Sequence, residues 1–193
     1  MAKKAAVKRK TKETDIDLSL AVNKSGAYSI DTQVPFLTHM IEQLSRHSNM
    51  DISLKVKGDI QVDAHHITED TGIVIGKALA KALGDKKGIA RFGSACGVLD
   101  EALVRVVLDI SGRTYCDVNL CLKEKKTGNF DTELIEEFFH GFARGGNLTL
   151  HVDQLKGKNT HHIAEAAFKG LALALKAALK KDGNSIKSTK GSL

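Results

Sequence analysis

Two short segments of the chain carry the same set of side chains able to bind a metal ion. One reads DAHHITED at residues 63–70, and the other reads NTHHIAEA at residues 159–166. Imidazole nitrogens mixed with carboxylate oxygens suit Mn²⁺, Fe²⁺ or Zn²⁺. Each segment has two adjacent histidines and then a glutamate: His65, His66 and Glu69 in the first, and His161, His162 and Glu165 in the second.

The spacing within each segment indicates that one segment cannot use all its ligands on one ion. If a helix begins at the histidine pair, the glutamate shares a face with one histidine, because residues three and four apart are neighbours on a helix. The two adjacent histidines then point about 100° apart. Pseudo-twofold symmetry, or pairing between subunits, could bring the outward histidine of one segment to the inward histidine of the other. The repeat therefore favours two equivalent metal sites.

The sequence around each segment predicts the elements that position it. The histidine pairs open two amphipathic helical patterns, and an alternating strand pattern precedes each pair, DISLKV at 51–56 and NLTLHV at 147–152. An earlier amphipathic helix occurs in each half, PFLTHMIEQLSRH and ELIEEFFHGFARG, with two β-like runs before it. Aligning these helices places His39 in register with Glu137, and this pair could complete the metal sites.

Each half thus has the order strand, strand, helix, strand, helix. We predict an α+β fold that is internally duplicated, with a first half at residues 1–93, a second half at residues 94–193, and one shared core. No glycine-rich phosphate loop of the GxGxxG or GxxxxGK type occurs where a nucleotide-binding fold needs it.

Composition narrows the class of protein. With 193 residues, 42% of them apolar, the chain can bury a core. The net charge of +6 is concentrated in KKAAVKRKTK and IKSTK, which predicts solvated, partly disordered termini. Three cysteines without a CxxC pair suit a reducing cytosol, and the absence of a signal peptide or a long apolar run predicts a soluble cytoplasmic protein without a membrane partner.

Several other functions remain open from these residues alone. The basic ends permit nucleic-acid binding, but nine aromatic residues with no tryptophan and no aromatic strand motif argue against it. A metallohydrolase is a minor alternative because the HExxH motif is absent. A third alternative is an assembly that uses metal only as a structural staple, which would not need phosphate-binding arginines.

Seven blocks of sequence, in order along nearly the whole chain, resemble the imidazoleglycerol-phosphate dehydratase family of histidine biosynthesis. The blocks are PFLTHMIEQLSRH, DAHHITED, ALGDKKGIARFG, LDEALVRVVLDISGR, FDTELIEEFF, GKNTHHIAEAAFKG and STKG. The resemblance implies two halves that each have a four-stranded sheet with two helices on one face, as in ribosomal protein S5 domain 2-like folds. It also implies two Mn²⁺ ions per active site and a homo-oligomer of 24 subunits with sites shared between subunits.

The resemblance also implies a role for individual residues. The metal ligands would be His39, His65, His66, Glu69, Glu137, His161, His162 and Glu165. The substrate phosphate would meet Arg91, Arg113, Ser188 and Lys190, with Thr189 and Lys169 as companions. Gln43 and His47 would line the pocket. Glu13 would lie near the substrate hydroxyls as acid or base, with Glu69 and Glu165 as alternatives.

The implied reaction converts D-erythro-imidazole glycerol phosphate to imidazole acetol phosphate and water. Metal ions on both ring nitrogens would stabilise an imidazolate, loss of hydroxide would give a diazafulvene-like intermediate, and loss of a neighbouring proton would give an enol and then the ketone. A metal on each side of one ring would explain why the histidine motif occurs twice.

The chain departs from the family pattern at four positions. Thr38 and Ala64 stand where relatives commonly have aspartate before a metal-binding histidine, and Thr114 and Lys187 stand where they have proline. Acids of this kind often orient a ligand imidazole. We therefore expect the metal affinity to differ from that of relatives.

Overall fold

The computed structural model describes residues 3–191. The first half contains β1 (Lys4–Lys10), β2 (Thr14–Ala21), β3 (Tyr28–Asp31), α1 (Pro35–Ser48), β4 (Asp51–Gly58) and α2 (His65–Leu83). The second half contains β5 (Phe92–Leu99), β6 (Ala102–Asp109), β7 (Tyr115–Asn119), β8 (Lys126–Thr127), β9 (Phe130–Asp131), α3 (Leu134–Gly146), β10 (Thr149–Lys156) and α4 (Thr160–Ala178).

The two halves have the same topology, as the repeat predicted. One sheet has the order β1-β2-β4-β3 and the other the order β5-β6-β10-β7. In each sheet the last neighbour pairs in parallel and the others pair antiparallel. The register agrees too, since Leu18 lies opposite Leu54 in the first sheet and Leu108 lies opposite Leu150 in the second. The short β8–β9 hairpin is an addition to the second half.

The core lies between the two sheets, and both halves contribute to it. Alternate residues of each central strand are buried, such as Ile16 and Leu18 of β2 and Val104 and Val106 of β6. Helix α2 packs on the first sheet and on α3, while α4 packs on the second sheet and on α1. The buried apolar residues form one continuous cluster. The predicted α+β duplication with a shared core is therefore confirmed.

The sequence pattern predicts only three strands in each half, so it misses one strand of each four-stranded sheet as well as the short β8–β9 hairpin. The segment KKAAVKRKTK, predicted as a solvated and partly disordered terminus, forms the edge strand β1, and only its Ala5, Val7 and Arg9 turn partly inward. In β5 the inward positions include glycines, because α4 lies against the strand. A Cβ atom on Gly93 would lie 2.0 Å from the carbonyl oxygen of Ala174. Small inward residues remove the apolar alternation that marks a strand.

Strand β5 begins at Phe92, so the repeated topology restarts slightly before the division at residue 94 that we predicted from the sequence. No helix within residues 3–191 combines the length and the apolar character needed to cross a membrane.

Candidate active site

A group of three potential metal ligands lies where α1 packs beside α4. The Nε2 atom of His39 lies 3.1 Å from Oε2 of Glu165, and Nε2 of His161 lies 3.3 Å from the same oxygen. One ligand atom from each residue lies within 4.8 Å of the other two, and within residues 3–191 this is the one such group that forms. We call His39, His161 and Glu165 the groove trio.

The start of α4 fixes the orientation of two members of the trio. Asn159 caps the helix, and its side-chain oxygen accepts hydrogen bonds from the backbone N–H groups of His161 and His162. Asparagine is a preferred residue at this position because it satisfies amides that the helix leaves unpaired. His161 and Glu165 then fall four residues apart on one face, as the spacing predicted.

The groove between α1 and α4 continues beyond the trio with more of the predicted residues. His39, Gln43 and His47 follow at intervals of one turn on α1, and Lys169 lies one turn after Glu165 on α4. The Nζ atom of Lys169 lies 2.7 Å from Oε1 of Glu165, and Nε2 of His47 lies 3.1 Å from Oε1 of Gln43. The groove therefore presents two facing rows of polar side chains.

The charges in the groove are set by these contacts. Burial favours the neutral acid at Glu165, but the Lys169 ammonium and the His39 ring outweigh it, so the pKa of Glu165 is lowered. Burial lowers the pKa of His47, and Lys169 and Arg46 lower it further. At neutral pH the groove thus holds Glu165 as an ionised carboxylate and His47 as a neutral imidazole.

The second histidine of each pair points away from its neighbour toward an acid that we did not identify from the sequence. The Nδ1 atom of His66 lies 3.0 Å from Oδ2 of Asp59, and Nδ1 of His162 lies 2.7 Å from Oε2 of Glu101. These hydrogen bonds raise the pKa of both histidines, and His162 together with backbone amides lowers the pKa of Glu101 to about 2. Glu101 lies in the block LDEALVRVVLDISGR, but the sequence pattern predicts no role for this residue.

The remaining ligand candidates do not converge within one chain. His65 and Glu69 of α2 and Glu137 of α3, which we call the seam trio, form no ligand group among the described residues. The Oε1 atom of Glu69 instead lies 2.5 Å from Nη2 of Arg144 on α3.

Glu13 lies in the turn between β1 and β2, where Asp70 holds the turn in place. Asp70 is buried, pairs with Arg9 of β1, and accepts a hydrogen bond of 2.5 Å from the Thr14 hydroxyl. The turn brings Oε1 of Glu13 to 3.8 Å from Nε2 of His66. The proposed acid or base thus lies beside a predicted metal ligand.

The phosphate-binding candidates other than Lys169, which lies in the groove beside Glu165, are found toward the other end of α4. Arg91 forms two contacts of 2.7 and 2.9 Å with the Asp109 carboxylate, and its Nη1 donates to the carbonyl of Lys187 at 2.6 Å. This places Arg91 against the segment that carries Ser188, Thr189 and Lys190, and Arg113 lies exposed in the β6–β7 loop. The backbone N–H of Arg91 donates to the carbonyl of Ala178, the last residue of α4. At about 1.5 Å per residue, the helix puts His161 roughly 25 Å from that end.

The two aspartates missing from the family pattern leave different local contacts. Thr38 forms a hydrogen bond of 2.9 Å with Thr32, so this hydroxyl braces the start of α1 rather than a histidine. Ala64 is buried before α2, and His66 is met by Asp59 instead.

A cavity of about 550 Å³ adjoins the groove trio. Its walls are mainly apolar and come from the start of α1, the β8–β9 hairpin and the loop before α2, with His39 and His161 on one side. The ring of Phe36 contacts both Phe130 and His161, at centroid distances of 5.1 and 5.3 Å. Phe36 therefore lies between Phe130 of the hairpin and the His161 ring of the ligand group.

Comparison with known proteins agrees with this architecture. The family model for imidazoleglycerol-phosphate dehydratase matches residues 32–175. The imidazoleglycerol-phosphate dehydratase of Dinoroseobacter shibae is 52% identical over 99% of this chain and 100% of its own length, and one from Cereibacter sphaeroides is 50% identical over the same shares.

Solved structures agree as well. The Staphylococcus aureus imidazoleglycerol-phosphate dehydratase superimposes with a TM-score of 0.84 at 40% identity, covering 93% of this chain and 99% of that one. The Pyrococcus furiosus enzyme, solved with (S)-C348, gives a TM-score of 0.85 at 38% identity, covering 97% and 100%. The chain therefore belongs to the imidazoleglycerol-phosphate dehydratase family, which makes it a hydro-lyase of histidine biosynthesis.

Proposed function

We propose that this enzyme dehydrates D-erythro-imidazole glycerol phosphate to imidazole acetol phosphate at a site that holds metal ions. The family relationship over the whole chain supports the reaction. The observation that supports a metal site is the groove trio, in which two imidazole nitrogens share one carboxylate oxygen.

The groove trio fits a metal ion. Donor atoms bound to one ion at about 2.1 Å lie about 3 Å apart, and the two nitrogens lie 3.1 and 3.3 Å from the Glu165 oxygen. The lowered pKa of Glu165 keeps that oxygen ionised, as a ligand requires. This mixture of donors is compatible with two Mn²⁺ per site, with Fe²⁺ or Zn²⁺ as alternatives. When bound, such ions would act as Lewis acids on the ring nitrogens of the substrate.

The carboxylates of the protein would have different roles, with some binding metal and others transferring protons. Glu165 is engaged by His39 and Lys169, which suits a ligand and positions it poorly for carrying protons. Glu13 is exposed on a braced turn beside His66 and is the better proton carrier near the substrate hydroxyls. Glu69 is the alternative, and it would first have to leave Arg144. The diazafulvene-like route stays a prediction.

The positions of the phosphate candidates support a site shared between chains. In one chain Arg91 lies at the end of α4 opposite the groove trio, roughly 20 Å from Glu165 and roughly 25 Å from His161 along the helix, and a glycerol phosphate is too short to span that distance. A second copy that places its Arg91 end against the groove would supply the phosphate contacts, and its α2 could bring His65, His66, Glu69 and the α3 residue Glu137 to the groove. This requirement supports the proposed homo-oligomer, and the proposed number of 24 subunits rests on the family resemblance alone.

We also place the enzyme in the cytoplasm. Cys96, Cys116 and Cys121 are all free thiols, which is compatible with a reducing compartment. Burial raises the pKa of Cys116 to about 12, so this thiol stays protonated and unreactive.

The decisive experiment removes and restores the metal. The purified assembly is treated with a chelator, dialysed, and assayed for dehydration of imidazole glycerol phosphate with and without added Mn²⁺. We expect activity to disappear with the metal and to return with Mn²⁺. Full activity in protein shown by elemental analysis to be free of metal would refute the metal proposal, and no turnover in the folded, metal-loaded assembly would refute the proposed reaction.

A further inference from the structure

Glu101 makes a set of contacts that links the start of α4 to one side of the His162 ring. Its Oε1 accepts hydrogen bonds from the backbone N–H groups of Lys158 and Asn159, at 3.1 and 2.9 Å. Its Oε2 lies 2.7 Å from Nδ1 of His162. Glu101 therefore has each oxygen committed to a different partner, and the carboxylate cannot rotate without breaking one of them.

The hydrogen bond at Nδ1 decides which nitrogen of His162 is free. A carboxylate can only accept, so the proton of a neutral His162 ring must lie on Nδ1, and Nε2 keeps its lone pair. Metal-binding histidines commonly give their second nitrogen to a carboxylate in this way, which fixes the tautomer and the ring orientation. The contact thus prepares Nε2 of His162 as the ligand atom.

In the first half, His66 also has a carboxylate at Nδ1, but that carboxylate comes from a different position in the repeat. Asp59, just after β4, lies 3.0 and 3.2 Å from Nδ1 of His66 through its two oxygens. The register that aligns His65 with His161 places Leu155, not an acid, opposite Asp59. Glu101 instead comes from the turn between β5 and β6. Two acids at non-equivalent positions meet the same nitrogen, so the arrangement is not a by-product of the repeat.

We infer that Glu101 is a positioning residue that holds the His162 ring with Nδ1 protonated and Nε2 available to a metal ion, and that Asp59 does the same for His66. This inference rests on the proposed metal site. It assigns to these acids the orienting role that an aspartate at the position of Ala64 could have filled.

The substitution Glu101→Gln tests the inference with little change of shape. Its amide oxygen can keep the bonds to the amides of Lys158 and Asn159, which turns the NH₂ group toward Nδ1 of His162. Nδ1 must then accept, so the ring proton moves to Nε2 and blocks the ligand atom. Glu101→Asp keeps the charge and should retain part of the effect. Asp117→Asn is the control, because Asp117 lies 3.6 Å from His151 on the outer face of the second sheet.

Two measurements on the full assembly decide the outcome. In the metal-free protein labelled with ¹⁵N-histidine, and at a pH well above the raised pKa of His162 so that the ring is neutral, solid-state NMR should show His162 protonated at Nδ1 in the parent and at Nε2 in Glu101→Gln. Its signals are identified by their loss in His162→Asn. In a competition with a chelator, Glu101→Gln should bind Mn²⁺ about 10- to 100-fold more weakly than the parent, Glu101→Asp should lie between, and Asp117→Asn should match the parent.

The metal site and the role of Glu101 can be refuted separately. A parent protein that binds no Mn²⁺, Fe²⁺ or Zn²⁺ would refute the proposed metal site. A parent that binds Mn²⁺ while Glu101→Gln binds it equally well, or keeps the proton on Nδ1, would refute the role of Glu101 alone. Equal weakening in Glu101→Gln and Asp117→Asn would also refute it, because the loss would not be specific to His162.

Discussion

The two helix pairs that carry the repeated histidine motif are counterparts in sequence, but they pack differently. Where α2 meets α3 the backbones touch. A Cβ atom on Gly141 would lie 2.6 Å from the carbonyl oxygen of Glu69, and one on Gly145 would lie 2.1 Å from that of Ile73. In the register of the repeat, the counterparts of these two glycines on α1 are Gln43 and His47. Their side chains keep an open polar groove between α1 and α4.

The facing helices differ in the same sense. Gly72 of α2 contacts the backbone of Phe138 so closely that a Cβ atom would lie 2.5 Å from its oxygen, and the counterpart of Gly72 on α4 is Phe168. Ile73, beside Gly72, has Lys169 as its counterpart. The seam between α2 and α3 is therefore closed by glycine and apolar side chains where the groove between α1 and α4 contains polar ones.

This difference explains why the groove trio comes together within one chain and the seam trio does not. In the groove, Glu165 meets His39, His161 and Lys169. In the seam, the counterpart of His39 is Glu137, a second acid, and Glu69 pairs with Arg144. Two carboxylates repel each other where an imidazole and a carboxylate attract. A repeated motif therefore duplicates the candidate ligands, while the side chains on the facing helix decide whether they meet in one chain.

The largest effect should come from adding one methyl group to the seam. Gly145→Ala places a carbon 2.1 Å from a backbone oxygen that cannot move without shifting α2. Overpacking of this kind costs about 3 kcal/mol, which lowers the thermal midpoint by roughly 6–12 °C. His47→Ala at the counterpart position should change the midpoint little. Scanning calorimetry compares the two, and equal losses would mean that the seam is no tighter than the groove.

Substitutions of the counterparts His39 and Glu137 should weaken metal binding to different extents. His39→Ala removes a member of the assembled groove trio and should weaken Mn²⁺ binding by more than about 100-fold. Glu137→Ala should weaken it by about 10-fold, because Glu137 belongs to no ligand group within residues 3–191. Chelator competition and elemental analysis measure both. A greater loss from Glu137→Ala would show that the seam trio is the stronger site in the assembly.

The pairing of Glu101 with His162 should give the metal-free protein a pH-dependent stability. The pKa of His162 is raised, so its contribution is complete below its ordinary pKa of 6.5 and is lost as pH rises through the raised value. The pKa of Glu101 is lowered to about 2, so its contribution is complete above its ordinary 4.5 and is lost as pH falls toward 2. Glu101→Gln should therefore lower the thermal midpoint more at pH 5.5 than at pH 8.5. An equal change at both pH values would contradict this pairing.

The smallest effect should come from the arginines that are counterparts on α1 and α3. Arg144 pairs with Glu69 but is more than half exposed, and Arg46 is exposed. Exposed ion pairs are worth about 0–1 kcal/mol because water screens them. Arg144→Ala should therefore destabilise the protein by less than about 1 kcal/mol and Arg46→Ala by less still, as measured by chemical denaturation. A larger loss for Arg46→Ala would reverse the comparison.

Much of the fold follows from local pattern, and each strand missed in the two four-stranded sheets has its own physical cause. Helices α1 to α4 and strands β2, β4 and β10 have a clear apolar period, because each buries one face against a neighbour of ordinary side-chain thickness. Strand β5 was missed because α4 approaches it so closely that only glycine fits at the inward positions 93 and 97. Without larger apolar side chains there, the strand has no apolar alternation. Strand β1 was missed because an edge strand with alternating lysines resembles a solvated tail.

The candidate site divides in the same way. The ligand types, the helical spacing of His161 and Glu165, and the register of His39 with Glu137 could be predicted from the chain alone. The acids Asp59 and Glu101 could not, because neither repeats in register, and Glu101 lies 61 residues from its histidine in sequence.

The sequence by itself determined the duplicated topology, the family and the chemical character of the candidate metal ligands, because these depend on residue types and on periods within single elements. Only the tertiary structure decided that His39 joins His161 and Glu165 while Glu69 pairs with Arg144, and that Arg91 lies at the far end of α4. The physical reason is the distance between packed helices. That distance is set by the side chains that both helices place at their contact, and no single helix encodes it.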